Sequence, residues 1–213
     1  AKERILDSVG AILAGAGNWA YRDNFLAACK EQGLGDCSAF TTGDLKFPAA
    51  RAAMIDATFG HAVELDDGHK FAGAHAGTAV VPVALTLARQ NGLSGRDVIV
   101  SVVLGYDIVY RIAAAMAPHQ IDKGFHPTSN DDTLGAAATA GKLLGLTKEQ
   151  LANAFTRPGL WKPRSQDSSP NALWWEILPP AGWLPSITRR KAWKEPPASL
   201  KGRTAFSQRN QRM

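Results

Sequence analysis

Cysteine is almost missing from this chain. Cys29 and Cys37 are the only two in 213 residues, too few for a disulfide framework and spaced unlike a zinc knuckle, so we expect free thiols in a reducing compartment. No run of about 18 uncharged apolar residues occurs, which speaks against a membrane span. Residues 1–13 carry Lys2, Glu3, Arg4 and Asp7 and therefore lack the apolar centre of a secretory leader. These absences lead us to expect a cytoplasmic protein with no membrane partner. Alternating strand patterns are also nearly absent: residues 98–104 are β-branched, but their flanking caps and length favour helix.

Hydrophobic residues make up 45% and charged residues 20% of the chain, enough for one sizeable core. Charge is unevenly spread. Residues 1–156 hold 13 basic and 16 acidic side chains, a net of −3, whereas residues 157–213 hold 11 basic and 3 acidic, a net of +8. The positive balance of +5 thus belongs to the C-terminal stretch. Five of six tryptophans and eight of twelve prolines also fall beyond Phe155, and proline at that density forbids long helices.

The first part reads as helix after helix. Apolar spacing predicts helices over 5–16, 24–32, 49–65 and 78–90, with Pro82 tolerated early in the last. Ser94 with Asp97 has the form of a capping box for a long helix to about Met116, and Thr147 with Gln150 repeats it for a helix near Lys148. The stretch Gly135, Ala136, Ala137, Ala138, Thr139, Ala140, Gly141 allows two readings. Either a neighbouring helix packs closely on it, or Thr133, Leu134 and Gly135 open a helix whose free N–H groups face an anion. We therefore expect a mostly all-α domain over 1–155 and an irregular, basic, Pro/Trp-rich tail over 156–213 that is disordered or translated out of frame.

Candidate chemistry concentrates in two turns and one cluster. His75 stands in the turn Gly73, Ala74, His75, Ala76, Gly77, Thr78, and His126 in Lys123, Gly124, Phe125, His126, Pro127, Thr128. Each precedes a small-residue helix, as if the turns were two halves of one polar pocket. Imidazole titrates near neutral pH, so two histidines facing one cavity can serve as base and acid. Between residues 61 and 70 lie His61, Glu64, Asp66, Asp67, His69 and Lys70. His61 reads as a helix residue that hydrogen-bonds a neighbouring carboxylate, and His119 as structural or exposed. The cluster holds the ligand types for zinc, manganese or iron, but its spacing is not that of a diagnostic metal motif, and we expect no metal.

Taken in order, His61 to Asp67, the turn around His75 with Val81 and Pro82 after it, Gly124 to Thr128, Thr133 to Ala138, and Lys142 to Leu146 resemble the MmgE/PrpD family. So does Arg4 to Gly15 at the start. The family includes 2-methylcitrate dehydratase, cis-aconitate decarboxylase and iminodisuccinate epimerase. The resemblance implies a helical domain followed by a smaller α+β domain, a homodimer, no metal or other cofactor, and a small di- or tricarboxylate as substrate. It implies lyase or isomerase chemistry, with dehydration of the 2-methylcitrate type by proton abstraction next to a carboxylate as the leading expectation. By position it puts Glu64, His75 and His126 in catalysis; the substrate's charge calls for cations, for which Lys123 and Lys70 are candidates, and Asp67, His69 and Thr128 are further substrate-binding candidates.

The chain departs from the family at Ala76, where proline is common, and at Gly68, where a hydroxyl residue is common. A later cationic segment of the family has no counterpart here, and family chains are about twice this long, so we expect a truncated form, inactive in the extreme case. Two rival readings follow from the residues. One is a catalytically dead helical protein that dimerises. The other is an anionic-polymer binder using Arg189, Arg190, Lys191 and the tryptophans, although nucleic acid is not the expected partner.

Overall fold

The structure is a computed structural model, and it describes residues 1–117 and 119–155. The expected basic tail over 156–213 lies outside the described residues. Among the described residues, eight helices and one small hairpin follow in the order α1 (Lys2–Asn18), α2 (Arg22–Glu31), β1 (Cys37–Ser38), β2 (Lys46–Phe47), α3 (Ala49–His61), α4 (Ala76–Gln90), α5 (Gly95–Met116), α6 (His119–Asp122), α7 (Pro127–Leu143) and α8 (Lys148–Phe155). The chain is mostly α-helical, as the apolar spacing predicts. The strands pair antiparallel, Cys37 opposite Phe47 and Ser38 opposite Lys46.

Helix α4 is the centre of the assembly. It packs on α3, α5 and α7, while α1 packs on α3. Its residues Val80, Val81, Pro82, Val83, Ala84, Thr86, Leu87 and Ala88 are all buried, and a helix apolar on nearly every side has to be surrounded. Phe59 and Ile12 are fully enclosed where α3 meets α1; burying a side chain of that size stabilises the fold by roughly 1.5–3 kcal/mol. Both anticipated capping boxes form. Ser94 Oγ accepts from Asp97 N–H at 3.3 Å while Asp97 Oδ2 accepts from Ser94 N–H at 3.0 Å. The Thr147 N–H donates to Gln150 Oε1 at 2.9 Å, and the Gln150 N–H donates back to Thr147 Oγ1 at 3.2 Å.

Two expectations need revision. Helix α3 stops at His61 rather than near Leu65, because the next residues turn back to bring Asp66 against His61. Thr133, Leu134 and Gly135 do not open a helix: α7 begins at Pro127 and they lie inside it. The close-packing reading of the Gly/Ala stretch is the one realised. A Cβ on Gly135 would strike Val109 Cγ2 and come within 2.8 Å of the Gly105 carbonyl, and a Cβ on Gly105 would strike Thr139 Oγ1. Glycine on both sides lets α5 and α7 meet backbone to backbone, and Thr139 Oγ1 donates to the Ser101 carbonyl across the crossing at 3.2 Å.

By length and composition, α5 alone among the described residues is apolar enough to cross a membrane. In this fold it lies along α7 and α4 and carries the paired charges Asp107 and Arg111 at 2.8 Å.

Candidate functional site

The site is built where the end of α3 and the starts of α4 and α7 converge. After His61 the chain reverses, with Glu64 in the left-handed region at φ 55°. The reversal leaves Glu64 exposed at the surface and turns Asp66 and Asp67 inward. Asp67 then takes over the capping of α4. Its Oδ1 accepts from Gly77 N–H at 3.0 Å and its Oδ2 accepts from Tyr110 O–H at 3.2 Å. A carboxylate at a helix N-terminus satisfies a free N–H and complements the helix dipole.

His75, the N-cap residue by position, makes no side-chain cap bond, so its ring is left to the cluster. Gly77 has no room for a side chain. A Cβ there would fall on Asp67 Oδ1 and within 2.6 Å of Ser8 Oγ and Tyr106 O–H.

Asp66 is the hub. Its side chain is 3% exposed, between His61 at 32% and His75 at 31%. A single oxygen, Oδ2, accepts from Thr78 Oγ1 at 2.6 Å and pairs with His61 Nδ1 at 2.8 Å. His75 Nδ1 stands 3.2 Å from the same oxygen but lacks hydrogen-bond geometry, and neither it nor Asp66 Oδ1 has another partner in the protein. Burial works against the Asp66 carboxylate, yet the His61 and Thr78 hydrogen bonds outweigh it and hold the group below its ordinary range. The Asp66 hydrogen bond in turn raises His61, against burial and with help from the Asp66 and Glu64 charges.

His126 completes an imidazole cluster. The His61 ring lies 5.3 Å from that of His75 and 6.4 Å from that of His126, edge to face. His126 caps α7 by accepting from Ser129 N–H at Nδ1, 3.3 Å, which leaves Nε2 as its free nitrogen. The two histidine turns therefore do meet, with His61 between them.

The remaining anticipated residues are dispersed around this centre. His69 accepts from Ala72 N–H at 3.2 Å and packs on Tyr110 at 4.6 Å between ring centres. Lys70 is exposed with its ammonium 6.0 Å from the Phe71 ring centre. Lys123 is exposed after α6, and Thr128 Oγ1 is buried without a protein partner. His119 is exposed at the start of α6.

Sequence reasoning missed the layer beneath. Tyr106 and Tyr110, one turn apart on α5, are both pushed well above the usual phenol range by burial and by the Asp67 charge. Their spacing on an otherwise aliphatic helix was the available signal. Asp132, 2% exposed, has neither oxygen paired, and burial, reinforced by Asp131, Asp67 and Asp66, drives its carboxyl well above the ordinary value. Its neighbour Asp131 accepts from Gln120 Nε2 at 2.7 Å.

A separate groove of about 570 Å³ at the α1–α2 corner is lined by Leu13, Trp19, Arg22, Asp23 and Thr41 among others. It includes none of the titrating cluster, and the concentration of reactive groups argues for the imidazole site instead.

Residues 1–171 match the MmgE/PrpD N-terminal domain family. Among curated proteins the chain is similar to cis-aconitate decarboxylase from Aspergillus terreus, 31% identical over 162 residues, which covers 73% of this chain and 33% of that protein. The human cis-aconitate decarboxylase is 34% identical over 125 residues, covering 54% of this chain and 26% of that protein. For the Mus musculus enzyme of the same name the figures are 29% over 167 residues, 74% and 34%. The chain thus spans about a third of the length, or less, of these relatives. No solved structure matches.

Proposed function

The chain belongs to the MmgE/PrpD family, and on that premise we propose that it is a lyase-type domain acting on a small di- or tricarboxylate through the imidazole cluster. The observation that carries the reading is the Asp66 carboxylate held between His61 at 2.8 Å and His75 at 3.2 Å, with both rings about one third open to solvent. A carboxylate in that position orients the rings and stabilises an imidazolium, the arrangement a proton-transfer site needs.

Both chemistries expected of such a site use it. In dehydration of the 2-methylcitrate type, an imidazole takes the proton next to a carboxylate and the hydroxyl group leaves as water with a proton from the second ring. In decarboxylation, the electron pair of the breaking C–C bond stays on carbon as carbon dioxide departs, and an imidazolium then protonates that carbon. The name shared by the relatives, cis-aconitate decarboxylase, makes cis-aconitate the first substrate to assay.

We assign His75 and His126 to proton transfer and Asp66 to the acidic partner of the rings. Glu64, the residue the family resemblance pointed to, acts from the surface through its charge on His61. Lys70, Lys123 and the His61 ring when protonated offset the substrate's negative charge, and Thr128 supplies a free hydroxyl. The homodimer implied by the resemblance and the cytoplasmic setting expected from the sequence accompany this reading.

The test is turnover of the purified chain with cis-aconitate, 2-methylcitrate and citrate, following carbon dioxide release and the absorbance of unsaturated products. Replacing His75 with alanine is expected to lower turnover by roughly 10²–10⁴, the usual contribution of a positioned acid or base. Unchanged turnover in His75→Ala, or none from a folded wild-type sample, overturns the reading for this chain.

A further inference from the structure

We propose that His61, Asp66 and His75 bind one divalent transition-metal ion of the Zn²⁺ class, and that the ion closes the proton-transfer site rather than serving it. The closing effect rests on the function proposed above; the binding does not. Among the described residues these three form a group whose ligand atoms all lie within 4.8 Å of one another. Two imidazole nitrogens and one carboxylate oxygen are a donor set suited to Zn²⁺ or Co²⁺.

Two of the three donor spacings match a single ion. Donors at about 2.0–2.1 Å around a tetrahedral centre stand about 3.3 Å apart, and His61 Nδ1 and His75 Nδ1 stand 2.8 and 3.2 Å from Asp66 Oδ2. Two coordinating atoms are already uncommitted, because His75 Nδ1 and Asp66 Oδ1 are buried with no hydrogen-bond partner. Both rings are about one third exposed, which gives the ion a path in and leaves a coordination position for water. Thr78, whose hydroxyl holds Asp66 Oδ2 at 2.6 Å, plays the part of an outer residue that fixes a ligand's orientation.

On binding, the ion replaces the proton of His61 Nδ1, which passes to solvent, and occupies the lone pair of His75 Nδ1. A ring whose lone pair is bound to metal no longer accepts a proton from substrate. With Nδ1 bound to the ion, the neutral His75 ring carries its proton on Nε2, so the ion opposes the catalytic role of the whole ring.

All five histidines and both cysteines of the chain lie within residues 1–155, so few competing sites of this class exist. The full chain, free of any affinity tag, is titrated with Co²⁺ and then Zn²⁺. One equivalent of Co²⁺ is expected to give visible absorption of a low-coordinate site, bleached by Zn²⁺. Adding Zn²⁺ alone is expected to shift the ring nitrogen resonances of His61 and His75 in magnetic resonance spectra and to leave His119 unmoved, a readout that needs no variant to fold. Asp66→Asn and His61→Gln are expected to abolish the visible signal, and Thr78→Val to weaken affinity about 10- to 100-fold.

No saturable Co²⁺ signal, or shifts confined to other histidines, overturns the proposal. Metal binding together with unchanged turnover in His75→Ala defeats the enzymatic reading and spares the metal site. Turnover dependent on His75 with no metal binding does the reverse.

Discussion

Two buried acidic centres in this molecule have opposite designs. On the hairpin side of α3, Asp56 is 1% exposed and fully answered: both of its oxygens accept from the Phe40 N–H, at 3.0 and 2.9 Å, and the Thr41 hydroxyl adds a second donor at 3.4 Å. Across α3 and α4, the group made of Asp66, Asp67, Asp131 and Asp132 is answered only in part, with Asp66 Oδ1 and both Asp132 oxygens unpaired. An unmet buried polar group costs about 1–3 kcal/mol, so the second centre spends stability that the first conserves. The difference separates a carboxylate that pins a loop from carboxylates kept ready for another occupant.

The comparison breaks most visibly in activity. Asp66→Asn should lower turnover by roughly 10²–10⁴ in the assay above, whereas Glu64→Gln, at the surface, should change it only a few-fold. Equal losses in the two variants would remove Asp66 from the hub. Next in size, Asp56→Ala should destabilise the fold by about 1–3 kcal/mol through the orphaned Phe40 N–H, measured by urea unfolding. An unchanged midpoint would show that the loop is not pinned there.

Acid should divide the centres by sign. Burial raises Asp56 from 3.8 to about 6, only partly opposed by its hydrogen bonds. The folded state therefore holds that proton more tightly than the unfolded one. Its contribution to stability is fully present below pH 3.8 and is lost as pH climbs through about 6, at no more than about 1.4 kcal/mol per pH unit.

Asp66, held below its ordinary range, does the opposite: its contribution is present above the unfolded value and is lost as pH falls through its folded one. Stability against pH for Asp56→Asn and Asp66→Asn should thus deviate from wild type in opposite directions on the acid side. Deviations of the same sign would erase the contrast. The smallest effect belongs to Asp132→Asn. Because its carboxyl oxygens have no protein partners to lose, the change should be neutral or stabilising by under about 1 kcal/mol, read as a melting-temperature shift.

The contrast also marks where the sequence is legible. Helix placement was readable because it depends on local spacing and local caps, and the Ser94 and Thr147 boxes form as their residue types require. The two histidine turns were readable for the same reason. Which carboxylate sits between the rings was not. That depends on the left-handed Glu64 backbone, which rotates Asp66 inward, and on α3 ending at His61. Gly60 lies inside the helix, and no glycine or proline stands among residues 61–67 to announce the stop. The bond from Tyr110 to Asp67 spans 43 residues, and the burial of Asp132 comes from neighbouring helices rather than from its own surroundings in the chain.

A buried thiol provides a clock for one edge of the domain. Cys29 is fully enclosed, and burial, opposed by the Arg51 charge, lifts its thiol to about 11; Cys37 is also buried and free. Alkylating reagents attack the thiolate, so in the closed molecule they find almost none of it at Cys29 and do not reach its enclosed sulfur. Each modification of Cys29 therefore records one opening of the α2 edge, and mass spectrometry of the labelled chain over time converts a static packing detail into the frequency with which that edge comes apart.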